Sequence, residues 1–309
     1  MFTFHLSRSF LAMLLVSLAF AEDFSRGQAC KGGTIYFSAH PVDSLLYQQP
    51  DLFHDFYVYK CLLSVVFTTG DRGIGGNSSQ SLEVGLEAAY AYMAGASDKN
   101  IWEETIVQIN DYNVTKRNLK GTPTIQILYL RLPDGASDGG GYRVTHSQSL
   151  KKLYQGNIRS ITTADGESTY TLRSLMDLVA SVIKQSEAQE IRVLDFKAPV
   201  PNDGELDSEH ADHAISARLV MDAVNGEHIQ VYLRGYAGNF MRHLDPTMNA
   251  THSDFFIKAD TFFQYAEHDS HICHTHEECY NQFQERSPDG LSQDVKYVIN
   301  WLEREYWVS

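Results

Sequence analysis

Compact apolar runs alternate with amphipathic stretches along most of the chain. Strands are predicted over 34–38, 61–68, 104–109, 124–131, 190–195 and 228–234, and helices over 79–94, 169–185, 209–224, 254–266 and 291–305. The strand segments are apolar and β-rich, as in Thr34-Ile35-Tyr36-Phe37, and the helical run beyond Ala214 sets Ile215, Leu219, Val220 and Ala223 on one side. Apolar strands interleaved with helices predict an α/β fold, a mostly parallel sheet covered by helices on both faces. No internal repeat or long low-complexity linker divides the pattern, so a single domain is expected. The Gly-rich stretch Arg131 to Tyr142, "RLPDGASDGGGY", reads as a turn-rich loop. It lacks the Lys-Ser/Thr and helix start that a phosphate loop requires.

In doubly wound sheets, ligands sit outside the carboxyl ends of the strands, near the point where strand order reverses. His40 and Asp43 follow the first predicted strand, Thr69-Gly70-Asp71 the second, and Pro199 to Asp212 the fifth. Three polar loops are therefore expected on one rim.

Composition narrows the partners and the compartment. A formal net charge of −14 argues against nonspecific nucleic-acid binding, which needs a basic surface. Arg8, the apolar run Phe10 to Phe20 and the small residues of Ala19-Phe20-Ala21 form a secretory signal. Cleavage after Ala21 would make 1–21 a signal peptide and 22–309 the working domain. The apolar run is about half of the roughly 20 residues a spanning helix needs, and no later segment qualifies as an integral membrane span. Four cysteines allow three pairings. Cys30 precedes the first strand and Cys61 opens the second, so adjacent parallel strands would join them, leaving Cys273 and Cys279 to close a short loop. Sequons at Asn77, Asn113 and Asn249 agree with a glycosylated protein that is secreted or held in the secretory-pathway lumen.

The chemistry concentrates in "HPVD" (His40 to Asp43) and "SEHADH" (Ser208 to His213). A His-x-x-His at a helix start often serves only as surface or cap. Coupled to a His and an Asp after a buried strand, it points to a metal. His40, Asp43 and His213 would make a zinc site with one position open for water, as catalytic sites require. His210 would stand beside the metal, with Asp212 fixing its tautomer. Ser208 or Asp212 is expected to cap the helix.

The blocks "AHPVDSLLY", "TTGDRG", "GLEAAYAYMAG" and "EHADHAISAR" resemble the signature of the PIG-L (LmbE-like) N-acetylglucosamine de-N-acetylases. "YLRLPDG", "TYTLRSLMDLV", "YLRGY" and "HDSHICHTHEECY" fit the secreted branch, whose first motif reads roughly AHPDDDLLF. The resemblance runs from about Gly33 to the end. It implies a Rossmann-like fold and one zinc ion held by His40, Asp43 and His213. The activity implied is hydrolysis of the linear amide of an N-acetylated amino sugar or glycan. By the same resemblance His210, oriented by Asp212, protonates the leaving amine or stabilises the oxyanion.

Two departures stand out. The family's general base lies between Pro and the ligand Asp, where this chain has Val42, and losing such help forfeits about 10²–10⁴-fold in rate. The family's substrate-holding Arg-Glu in the following helix is replaced around Leu82-Glu83, leaving Glu83 as a candidate substrate contact. Asp71 is a candidate substitute base, and His210 could serve as both base and acid. The alternative function is an impaired zinc- and glycan-binding pseudoenzyme. In the tail, His271, Cys273, His274, His276 and Cys279 match no standard zinc spacing, and an oxidising compartment favours a Cys273–Cys279 disulfide.

Overall fold

A computed structural model describes residues 22–23, 30–96, 101–205, 208–249, 251–285 and 293–308. The expected cleavage site at Ala21 lies outside them. β2 (Thr34–Ser38) is buried at all five positions and β3 (Leu62–Thr68) at all seven. Strands without a solvent face belong in the middle of a covered sheet, and their apolar blocks put them there. Burying each Leu, Ile, Val or Phe contributes about 1.5–3 kcal/mol, so these two strands anchor the core.

The other strands of that sheet are β1 (Glu22–Asp23), β4 (Trp102–Ile109), β5 (Tyr112–Leu119), β6 (Thr122–Leu132), β9 (Glu190–Val193), β10 (Tyr232–Tyr236) and β11 (Trp307–Val308). They run in the order β1-β4-β5-β6-β3-β2-β9-β10-β11. The centre, from β6 through β3, β2 and β9 to β10, is parallel. β4–β5, β5–β6 and β10–β11 are antiparallel. A separate small pair joins β7 (Ile161–Thr162) to β8 (Thr169–Tyr170).

Nine helices are described: α1 (Asp43–Tyr47), α2 (Asp51–Tyr59), α3 (Asn77–Met93), α4 (Leu150–Tyr154), α5 (Leu172–Ser186), α6 (Ala211–Gly226), α7 (Ser253–Ala266), α8 (His276–Glu285) and α9 (Gln293–Leu302). They cover both sides of the sheet, with α5 and α4 packed on α6 and α3 packed on α7. α5 begins at a capping box in which Thr171 and Ser174 bond reciprocally, satisfying donors the first turn leaves open.

The α/β class and the parallel centre follow the apolar pattern, whereas the antiparallel flank does not. β5 carries Asn113, Thr115, Lys116, Arg117 and Asn118, too polar to read as a buried strand. Its turns supply the missing signal: Asn110 has φ 53° at one end and Gly121 φ 84° at the other. The strand expected at 228–234 begins later, at Tyr232.

Chain direction across the sheet sets the place of the site. From β2 the chain passes to β3 on one side, crosses to β4 on the flank and returns through β5 to β6 beside β3; later it forms β9 and β10 on the other side of β2. β2 and β9 are neighbours, so order reverses between them. The loops after these two strands carry His40 and Glu209 to His213.

Disulfides join Cys30 to Cys61 and Cys273 to Cys279. The first ties the lead-in of β2 to the start of β3, with Gly33 packed against it. A Cβ at Gly33 would come within 2.5 Å of the Cys61 carbonyl oxygen. Closing a 31-residue separation should stabilise the fold by about 3–4 kcal/mol. The double variant Cys30→Ser/Cys61→Ser is expected to melt roughly 6 °C lower by calorimetry, given the unfolding entropy of a chain this size. A change under about 2 °C would mean that the link barely restricts the unfolded chain.

Candidate functional site

His40 leaves β2 two residues after its end, and Asp43 opens α1 one turn later. Asp43 folds back, so that its Oδ2 accepts from the His40 backbone N–H at 2.6 Å. Its Oδ1 is left facing inward, 3.3 Å from His40 Nδ1 and 3.2 Å from His213 Nε2. His40 Nδ1 and His213 Nε2 are 3.2 Å apart. Three donor atoms from two loops thus form a nearly equilateral triangle, although His40 and His213 are 173 residues apart in sequence.

Each histidine has a carboxylate behind it. His213 Nδ1 meets Glu209 Oε1 at 2.6 Å. The same carboxylate accepts from the backbone N–H groups of His210 at 3.1 Å and Asn239 at 3.0 Å. Gly238 lets that backbone approach, because a Cβ there would lie 2.5 Å from Glu209 Oε1. His40 Nε2 faces Asp212 Oδ2 at 3.6 Å, and Asp212 Oδ2 accepts from Gly135 N–H at 2.8 Å. A side chain at Gly135 would collide with the Asp212 carboxylate.

With Glu209 taking the outer N–H of His213, a neutral His213 turns the lone pair of Nε2 inward, toward His40 Nδ1 and Asp43 Oδ1. Burial opposes charge on every group here, and the pairings decide the outcome. Burial pulls His213 down, but Asp43 and then Glu209 outweigh it and push the ring up to about 9. His40 is raised well above its ordinary value: burial pulls it down, and Asp43 and Asp212 overcome that. Burial would raise Asp43, yet His213 and His40 hold it far below the usual carboxylate range. The triangle demands positive charge, and a divalent cation answers that demand as well as protons do.

The geometry fits such an ion. At bond lengths of about 2.0–2.2 Å, donors on tetrahedral corners stand ~3.3–3.6 Å apart, close to the 3.2–3.3 Å observed. A zinc held by three such donors would keep a fourth position for water. Two further cation-capable groupings stand around it among the described residues: His40 with His210 and His213, and His40 with Asp134, His210 and Asp212.

His210 differs from the other two rings. It is the N-cap of α6, and its Nδ1 accepts from Asp212 N–H at 3.2 Å. Neither Ser208 nor Asp212 takes that place. Nδ1 must carry the lone pair, so a neutral ring bears its proton on Nε2. Burial first, then His40 and His213, hold His210 well below its ordinary value, which keeps it neutral. Asp212 fixes this tautomer through its backbone, while its carboxylate faces His40.

A cavity of about 440 Å³ opens beside the triangle, lined by His40, Val42, Asp43, His210 and His213. Tyr47, Phe262, Tyr265 and Trp301 give it aromatic walls, and Arg72, Asp134 and Asn239 add polar groups. Tyr47 donates to Asn239 Oδ1 at 2.7 Å and packs edge-on against Trp301. The Gly-rich loop that brings Asp134 to the rim is tied down by two lysines. Lys151 Nζ donates to Asp138 O, and Lys152 Nζ to Gly140 O and Ser147 O.

Two candidates from the sequence take other positions. Asp71 is buried under its own loop, accepting from Thr69 Oγ1 at 3.0 Å, Gly73 N–H at 3.1 Å and Gly75 N–H at 2.8 Å. It braces a turn and is not among the cavity-lining residues. Glu83 is gripped by Arg131 through two bonds of 2.7 and 2.8 Å. It too is not among the cavity-lining residues. In the tail, Cys273 and Cys279 are disulfide-bonded, leaving no thiolate for a metal.

Glu209 and Asp134 went unassigned from sequence. An acid four residues ahead of a ligand-type histidine was the signal for Glu209. For Asp134 the only signal was its place in "YLRLPDG".

No family model matches the chain, and neither does any curated protein. Similar solved structures include a conserved protein from Thermus thermophilus, 14% identical, with a TM-score of 0.39 over 75% of this chain and 78% of that one. An N,N'-diacetylchitobiose deacetylase from Pyrococcus horikoshii, solved with its inhibitor, is 12% identical, with a TM-score of 0.40 over 77% of this chain and 70% of that one. At this level neither likeness carries an argument about function.

Proposed function

We propose that the protein is a zinc-dependent N-deacetylase of the PIG-L type, acting on an N-acetylated amino sugar or its glycan. The observation that carries this reading is the donor triangle of His40, Asp43 and His213 on the wall of an aromatic-lined cavity. These are the residues the motif resemblance nominates as ligands. Zinc bound there would polarise an amide carbonyl and acidify a water.

The chain's own groups supply the rest. His210, neutral and with its proton on Nε2, donates to the carbonyl oxygen as negative charge develops on it. Glu209 holds the His213 ring from behind, and the Asp212 carboxylate faces His40. Aromatic walls suit the apolar faces of a sugar ring, and Asn239 and Arg72 suit its hydroxyls.

Glu209→Gln keeps the shape but removes the charge behind His213. It is expected to weaken zinc binding by about 10–100-fold in competition with a chromophoric chelator. Unchanged affinity would show that the carboxylate does not tune the ligand.

The same reading places the protein in the secretory pathway, with removal of residues 1–21. Two disulfides fit an oxidising compartment. The sequon residues Asn77, Asn113 and Asn249 are exposed, as glycan attachment requires. Among the described residues no helix is long and apolar enough to cross a membrane.

Val42 favours a second reading, a zinc-bearing glycan binder with little turnover. Metal analysis and acetate release from N,N'-diacetylchitobiose test both. The deacetylase reading expects one zinc per chain and acetate release that a chelator abolishes and zinc restores. Zinc and sugar binding without acetate would leave the second reading. A protein that takes up no zinc would end both.

A further inference from the structure

We propose that Asp134 is the general base, doing from the loop after β6 what an acid at position 42 would do from the loop after β2. The inference rests on the deacetylase reading above. Among the described residues, three carboxylates line the cavity: Asp43, Asp134 and Asp269. Asp43 belongs to the donor triangle. Asp269 accepts from His271 N–H at 3.0 Å and lies 3.6 Å from the Arg72 guanidinium, so it is occupied at the rim. His210 accepts at Nδ1 from the α6 backbone and carries its proton on Nε2, so it enters the reaction as a donor. Val42 cannot take a proton. Asp134 is what remains.

Its position fits the task. Asp134 is 4% exposed, and one of its carboxylate oxygens lies within 4.8 Å of a ring nitrogen of His40, a ring nitrogen of His210 and an oxygen of Asp212. Two backbone bonds hold the carboxylate, Ala136 N–H to Oδ1 at 2.8 Å and Arg72 N–H to Oδ2 at 3.0 Å. An ionised carboxylate accepts about four hydrogen bonds, so both oxygens keep a lone pair for the cavity. The backbone grip fixes direction without using up capacity.

The proton inventory then closes. One proton of the attacking water passes to Asp134 as the water oxygen bonds to the amide carbon, and the carbonyl electrons move onto oxygen, facing His210. Asp134 returns the proton to the amide nitrogen. The C–N bond breaks with its electron pair on nitrogen, releasing a free amine and acetic acid, and Asp134 is a carboxylate again.

Asp134→Asn is the test, with acetate release from N,N'-diacetylchitobiose, zinc content and melting temperature read together. The expected result is a loss of about 10²–10⁴-fold in kcat, with zinc retained and the melt little changed. Adding Val42→Asp to that variant should recover roughly tenfold or more, which a merely structural Asp134 would not permit.

Activity within about threefold of wild type in Asp134→Asn would overturn the proposal and leave the deacetylase reading standing. Loss of zinc in that variant would also overturn it, because Asp134 would then hold the ion. Should Asp134→Asn fail to fold, Val42→Asp alone decides. A second base should add less than about threefold to an enzyme that already has one, so a gain of roughly tenfold or more refutes the role of Asp134. A zinc-loaded wild type that releases no acetate would take down the deacetylase reading itself, and this proposal with it.

Discussion

Alanine in place of His213 is expected to strip the protein of stoichiometric zinc and reduce acetate release to background. Removing a partner behind a ligand already costs about 10–100-fold in metal affinity, and removing the ligand itself must cost more. The loss is sharpened by what stays behind. Asp43 is 1% exposed and held ionised by His213 and His40 together. Taking away one ring leaves a buried carboxylate half-compensated, and Glu209 behind it loses its strongest contact, at 2.6 Å. Zinc content by mass spectrometry and the melting temperature, each with and without added zinc, separate the two consequences. The wild type should gain thermal stability from zinc by mass action, and the variant should not. A His213→Ala protein that kept one zinc per chain would rule out the triangle as the metal site.

His210→Ala is expected to lower kcat by about 10²–10³-fold while zinc content stays at one per chain, the usual effect of losing an oxyanion donor. KM should change little, since the bond strengthens only as charge develops. His210 is also the N-cap of α6, so part of any loss could reflect a frayed helix. His210→Asn separates the roles, because Asn caps well but places no donor where Nε2–H stands. The Asn variant should recover the melting temperature and not kcat. Recovery of both would reduce His210 to a cap.

Much of the architecture is legible in local pattern. β2 and β3 are apolar throughout, and only a covered, central position suits such strands. Donor types also reveal themselves locally: His40 and Asp43 follow a buried strand, and His210 and His213 flank a helix start. The antiparallel flank was hidden because β5 is a polar strand whose burial depends on its neighbours. The partners of Asp71 and Glu83 are hidden for a related reason. Both are acids near the right strands, but Asp71 is consumed by its own turn and Glu83 by Arg131, which is 48 residues away.

By itself, then, the sequence determined the α/β class, the apolar strands at the sheet centre, the cysteine pairs and the donor types carried by the two loops. These depend on residue type and short-range pattern. Only the tertiary structure decided that the Asp212 carboxylate turns to His40 while its backbone serves His210. That direction is set by Gly135, 77 residues away, whose bare Cα lets the loop reach the carboxylate. It also decided that Asp134 lines the same cavity as Val42, since which acid reaches a cavity depends on loops packing from distant strands.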